Sequence, residues 1–170
     1  RGGEIDPDAA LVAVADVFEA LTAARPYRQA WTVDRVERHL RSLAGTGCRA
    51  EAAEDGQEAL KVMERHPFDV VLLDLRLPGL DGMDVLRIIK QRWPNSEVVV
   101  ITGYPSIESA KEALRLGAQN YIAKPVGPED VIKAANQAWT HKRWAMHRNQ
   151  NEREAKDFVE REPERRPVTH

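Results

Sequence analysis

Two uninterrupted apolar runs constrain this chain more than anything else in it. Residues 70–73 read VVLL and residues 98–101 read VVVI, and each run is short and bounded by charged or polar residues. A strand with one wet face alternates apolar and polar positions, so four apolar residues in succession suit a strand covered on both faces. Covered strands belong to parallel sheets flanked by helices, and the intervening stretches supply helical patterns.

The rest of the chain follows that alternation. CRAEAA at residues 48–53 reads as a strand and DGQEALKVMERH at 55–66 as a helix, with Ala59, Leu60, Met63 and Val62 inward and Pro67 stopping it. DVVLLD is a buried strand ending at Asp74. GMDVLRIIKQRW at 82–93 is a helix with Met83, Leu86, Ile89 and Ile88 inward, ended by Pro94. SEVVVIT closes at Thr102, and SIESAKEALRLG is a helix capped by Gly117. QNYIAKP is a third short strand closing at Lys124 and Pro125. A last helix opens at GPED, where Pro128, Glu129 and Asp130 suit a first turn, and runs through Trp139 and Trp144 to about Asn149. Those two tryptophans, at i and i+5, share no narrow stripe, which favours packing over a dimer contact. The charged stretch NEREAKDFVEREPERRPVTH beyond is expected to fray into a disordered tail.

Composition narrows the function classes. A chain of 170 residues, 42% hydrophobic and 31% charged, suits one domain with appendages. A formal net charge of -2 provides no bulk basic field, so nucleic acid is not an expected partner. Cys48 is the single cysteine, which fits a reducing compartment, and no stretch approaches the roughly 20 apolar residues of a membrane span. No membrane segment or signal peptide is expected, and a cytoplasmic location is. The chain opens on Arg1, as a processed product or a piece of something longer would.

In a parallel α/β sheet the carboxyl ends of the strands share one edge, and ligands bind outside it. Asp74, Thr102 and Lys124 close three such strands. A carboxylate, a hydroxyl and an ammonium gathered there suit phosphoryl chemistry: the carboxylate attacks while the other two bind oxygens of the transferred group. A divalent cation would offset the negative charge of attacker and phosphate.

The segments VVLLDLRLPGLDGMDVL, VVVITGY and YIAKP together resemble the receiver domain of two-component response regulators. The resemblance implies an α/β, flavodoxin-like doubly wound parallel sheet with a long C-terminal helix. It implies Asp74 as phosphoacceptor, Thr102 as switch hydroxyl, Lys124 as phosphate-binding ammonium and Tyr121 as the aromatic that changes rotamer. Pro125 matches a proline whose preceding peptide is usually cis. Mg2+ is the implied cofactor, held by Asp74 and the backbone carbonyl of Arg76. A histidine kinase and a downstream output protein or domain are the implied partners, a homodimer being a further one. The family signals through its fourth helix, fifth strand and fifth helix.

Upstream the pattern departs from that family. TVDRVERHLRSLAGTG suits the family's first helix, with Val33, Val36, Leu40 and Leu43 on one face, but AARPYRQAW stands where a strand and an acidic metal-binding pair belong. Residues 1–46 instead resemble the C-terminal part of an HD-GYP cyclic di-GMP phosphodiesterase, chiefly in VADVFEALTAARPYR, and Asp16 matches an aspartate of that family's metal site. His39, His66, His141, His147 and His170 all follow Asp16 at wrong spacings, so phosphodiesterase activity is not expected. The resulting division is a mainly helical remnant at 1–46, a receiver at 47–145, and a helix end with a charged tail at 146–170.

Residues 9–15 carry two readings. Asp6 as N-cap, Pro7 in the first turn, and Leu11, Val14, Phe18 and Leu21 on one face favour a helix. Against that, a receiver sheet without its central strand leaves two neighbours unpaired, and LVAVAD is the upstream run able to fill the gap, which would carry Asp16 to a metal-binding position. Glu54 and Asp55 could lend a supporting carboxylate, although solvated acids at a helix start are favoured. Function then divides between a phosphoacceptor module, a receiver-like module that binds partners without phosphorylation, and a fragment of a phosphodiesterase whose catalytic residues are absent.

Overall fold

The computed structural model describes residues 10–14 and 49–161. Five strands, β1 (Ala10–Val14), β2 (Arg49–Ala53), β3 (Val70–Leu73), β4 (Glu97–Thr102) and β5 (Asn120–Ala123), form one sheet in the order β2-β1-β3-β4-β5. Every pairing is parallel. The helices are α1 (Gly56–Arg65), α2 (Gly82–Arg92), α3 (Ile107–Arg115) and α4 (Pro128–Arg161). The sheet is the flavodoxin-like doubly wound arrangement expected from the sequence.

The apolar runs behave as their lack of alternation requires. Val70, Leu72, Val99 and Ile101 face one side, where Val131, Ile132, Ala134, Ala135 and Ala138 of α4 cover them. Val71, Leu73, Val98 and Val100 face the other, against Ala59, Val62 and Met63 of α1 and Val85, Leu86 and Ile89 of α2. At roughly 25 cal/mol per Å2 of apolar area removed from water, this two-sided burial is the main favourable term holding the layers. Of the expected inward positions Leu60, Met83 and Ile88 are only partly buried, while Val85, which was not among them, is fully buried.

Residues 10–14 correct the preference for a helix. Ala10–Val14 lies between β2 and β3, in register with Arg49–Ala53 on one side and, from Leu11, with Val70–Leu73 on the other. A helix there would satisfy its own backbone but leave facing rows of N–H and C=O on β2 and β3 without partners, and that cost outweighs a cap and a periodic pattern. The segment assigned as a helical remnant thus supplies the central strand. Asp6, Asp16, Phe18, Leu21 and the helix expected over 32–47 lie outside the described residues.

The last helix also runs further than expected. α4 has 34 residues and reaches Arg161, where the sequence suggested an end near Asn149 and a disordered tail. Its 34 residues span roughly 50 Å. Lys142 pairs with Asp69, and His141 lies 2.9 Å from Glu97, fastening α4 at the amino ends of β3 and β4.

Candidate functional site

β3 delivers Asp74 to the carboxyl edge one residue past Leu73, and the chain then turns away through Pro78 and Gly79, which has a φ of 79°. Thr102 is the last residue of β4, and Lys124 follows β5 directly. Because Leu73 pairs with Val100 and Thr102 with Ala123, the three residues end adjacent strands. The expected convergence is present.

Asp74 is 2% exposed and Thr102 1%. Lys124 Nζ donates to Asp74 Oδ2 at 2.6 Å, and the backbone N–H of Arg76 donates to Oδ1 at 2.8 Å. A carboxylate so enclosed holds its charge only with partners of this kind. The Thr102 hydroxyl accepts from the Tyr104 N–H at 3.2 Å, leaving its own proton to offer, and the Thr102 carbonyl accepts from Lys124 N–H at 2.8 Å. The Lys124–Pro125 peptide is cis, as the resemblance implied.

A metal here would draw on Asp74 and the carbonyl of Arg76. Each carboxylate oxygen has a second lone pair beyond its present hydrogen bond, and hard oxygens of this sort suit a magnesium ion that keeps several waters. Among the described residues no group of three or more His, Cys, Asp or Glu side chains is placed to hold a metal, and Asp16 lies outside them. The acids after β2 serve α1 instead: Asp55 Oδ1 accepts from Glu58 N–H at 2.8 Å, and Glu58 Oε2 accepts from Glu54 N–H at 2.7 Å. Asp55 is thus the N-cap of α1, and Glu58 reaches back to the residue before it.

Two features of the site were missed in the sequence. The Arg76 guanidinium lies 4.8 Å from the Tyr104 ring centroid, joining the loops that follow β3 and β4 across the rim. Tyr121 Oη lies 2.7 Å from Ser109 Oγ, which ties β5 to the first turn of α3. The pattern S-x-x-S at 106–109 signalled a helix start, but a tyrosine twelve residues later carried no sign of reaching it.

A parallel sheet with β1 between β2 and β3, and a buried carboxylate–ammonium pair just beyond that switch point, define a flavodoxin-like module with a polar edge site. The chain belongs to the response regulator receiver domain family, whose profile matches residues 33–136. It is 35% identical over 101 residues to the DNA-binding transcriptional regulator NtrC of Escherichia coli, covering 59% of this chain and 22% of that protein. It is 38% identical over 93 residues to a putative response regulator, NtrX-like, of Rickettsia typhi, covering 54% and 20%. Among solved structures, NtrX from Brucella abortus in complex with ADP superposes with a TM-score of 0.66 at 28% identity, over 83% of this chain and 29% of that one. A receiver domain protein from Clostridium thermocellum gives 0.60 at 27%, over 81% and 98%.

The chain thus spans about a fifth of the curated relatives it matches. The match opens at residue 33, inside the segment assigned to an HD-GYP remnant, and residues 10–14 of that segment belong to the sheet. The exclusion of nucleic acid on net charge is not supported, since the Escherichia coli relative is a DNA-binding regulator. No helix among the described residues is long and apolar enough to cross a membrane.

Proposed function

We propose that this chain accepts a phosphoryl group on Asp74 from a histidine kinase and relays its presence by a change of conformation. The observation that carries this is the buried Asp74 bridged to Lys124 at 2.6 Å at the carboxyl edge of the sheet. A carboxylate oxygen of Asp74 attacks phosphorus, the bond from phosphorus to the donor imidazole breaks, and the imidazole nitrogen leaves with its electron pair. Lys124 then balances charge on a phosphoryl oxygen, and the proton that Thr102 has free is given to another. Mg2+ would be held by Asp74, the Arg76 carbonyl and, in this reading, Asp16, and would supply further charge compensation.

Tyr121 follows Thr102 as the switch aromatic, and α3, β5 and α4 present the result to an output partner or a second copy. The domain is a signalling module and not a catalyst of turnover, acts in the cytoplasm, and governs a DNA-binding output as its curated relatives' names suggest. A second reading, a module that binds partners without phosphorylation, is favoured by the lack, among the described residues, of any group of three or more His, Cys, Asp or Glu side chains placed to hold a metal.

Acetyl phosphate offered to the purified chain with and without magnesium separates the two. The expected outcome is a magnesium-dependent mass gain of one phosphoryl group, absent in Asp74→Asn. A folded chain that gains nothing would establish the second reading.

A further inference from the structure

The crowding around one hydroxyl in the first turn of α3 extends the switch just proposed. Ser106 is the N-cap of α3, and its Oγ accepts from the Ser109 N–H at 3.0 Å. Ser109 Oγ in turn has four polar atoms within reach: Ser106 N at 3.2 Å, Ser106 Oγ at 2.9 Å, Ser106 O at 3.1 Å and Tyr121 Oη at 2.7 Å. A serine hydroxyl has one proton and two lone pairs, so it completes three of these bonds and not four. The three Ser106 contacts alone would fill it, with the proton given to Ser106 O and the lone pairs taken by Ser106 N–H and Oγ–H. Tyr121 makes the shortest contact and must displace one of them. The Ser106 N–H, whose contact at 3.2 Å is the longest of the four, is the one that yields when the Tyr121 hydroxyl donates to Ser109 Oγ.

We infer that Ser109 is a positioning residue for the switch, its one hydroxyl held in common by Tyr121 and the α3 cap, so that release of Tyr121 completes the cap. The two states differ in which group occupies Ser109 Oγ, and movement of the Tyr121 ring is thereby converted into tighter closure of the helix that begins five residues after Thr102. This rests on Tyr121 being the switch aromatic. The linkage between Tyr121 and the cap, however, exists in the unphosphorylated chain whether or not Asp74 takes phosphate.

The test is hydrogen exchange of the Ser106 amide by NMR in the full chain, with Ser109→Ala, Ser109→Thr and Tyr121→Phe. Deleting a hydroxyl that merely braced the structure would speed exchange. The inference requires the opposite from Tyr121→Phe, a slowing by about fivefold, the worth of one net hydrogen bond. Ser109→Ala should speed exchange, and it should shift the fluorine resonance of Tyr121 in protein labelled with 3-fluorotyrosine. Ser109→Thr, which keeps the hydroxyl, should restore both. Unchanged or faster exchange in Tyr121→Phe overturns the inference, as does a Tyr121 resonance indifferent to Ser109→Ala. Addition of beryllofluoride with magnesium, a phosphoryl mimic, should slow Ser106 exchange in the parent chain and not further in Tyr121→Phe. If the first comparison holds and beryllofluoride does not bind, the sharing of Ser109 stands and phosphorylation of Asp74 falls.

Discussion

Gly82 sets how closely α2 can start behind Asp74. A Cβ added there would lie 2.4 Å from Leu75 Cα, 2.5 Å from the Asp74 carbonyl oxygen and 2.8 Å from that of Leu75, all backbone atoms that cannot swing aside. Gly82→Ala should therefore cost roughly 1–3 kcal/mol as the loop is pushed outward, and it should slow phosphorylation of Asp74 by moving the Arg76 N–H off Oδ1. Urea denaturation and phosphorylation kinetics check this, and an unchanged midpoint would contradict it. Removing the other partner of the carboxylate is a separate matter: Lys124→Ala leaves a buried charge unpaired and should cost about 3 kcal/mol near neutral pH, measured the same way. Asp74, Thr102 and Lys124 were legible because each terminates an apolar run and strand ends share an edge. Tyr104 and Ser109 were not, because their partners come from other loops and only the assembled sheet brings them together.

Helix α3 carries a testable electrostatic signature at the level of the element. Arg115 grips Glu112 through Nε at 2.9 Å and Nη2 at 2.8 Å, and that side-chain hydrogen bonding holds the Glu112 carboxyl below its ordinary value of 4.5. A carboxyl depressed in the folded state contributes stability that is present above its ordinary value and lost as pH falls through the folded one. An NMR titration should place Glu112 below 4.5, and Arg115→Gln should raise it. The extra turns of α4 have a related origin. Sequence reading saw high charge and few apolar residues and inferred disorder, but Arg148 and Glu152, Glu152 and Lys156, and Arg153 and Asp157 stand at i and i+4, where opposite charges support a helix. β1 erred in the other direction, since a cap and a 3.6-residue pattern are local signals and the vacancy between β2 and β3 is not.

For the molecule as a whole, the position of β1 decides what a minimal functional piece must contain. A chain beginning at residue 47 has Asp74, Thr102, Lys124 and every described helix, and by sequence it was the entire receiver. It should nevertheless fail to fold, because, among the described strands, β2 would lose its only partner and β3 one of its two. Circular dichroism and thermal melting of that truncation check the point, and a cooperative transition like that of the full chain would refute it. The same placement bears on how the protein is made. Ribosomes release a chain from its amino end, so Ala10–Val14 emerges before either strand that flanks it, with Arg49–Ala53 and then Val70–Leu73 following. This interior strand is synthesised before both of its neighbours, leaving a nascent strand with both hydrogen-bonding edges open until they arrive, an interval in which chaperones or aggregation compete for it.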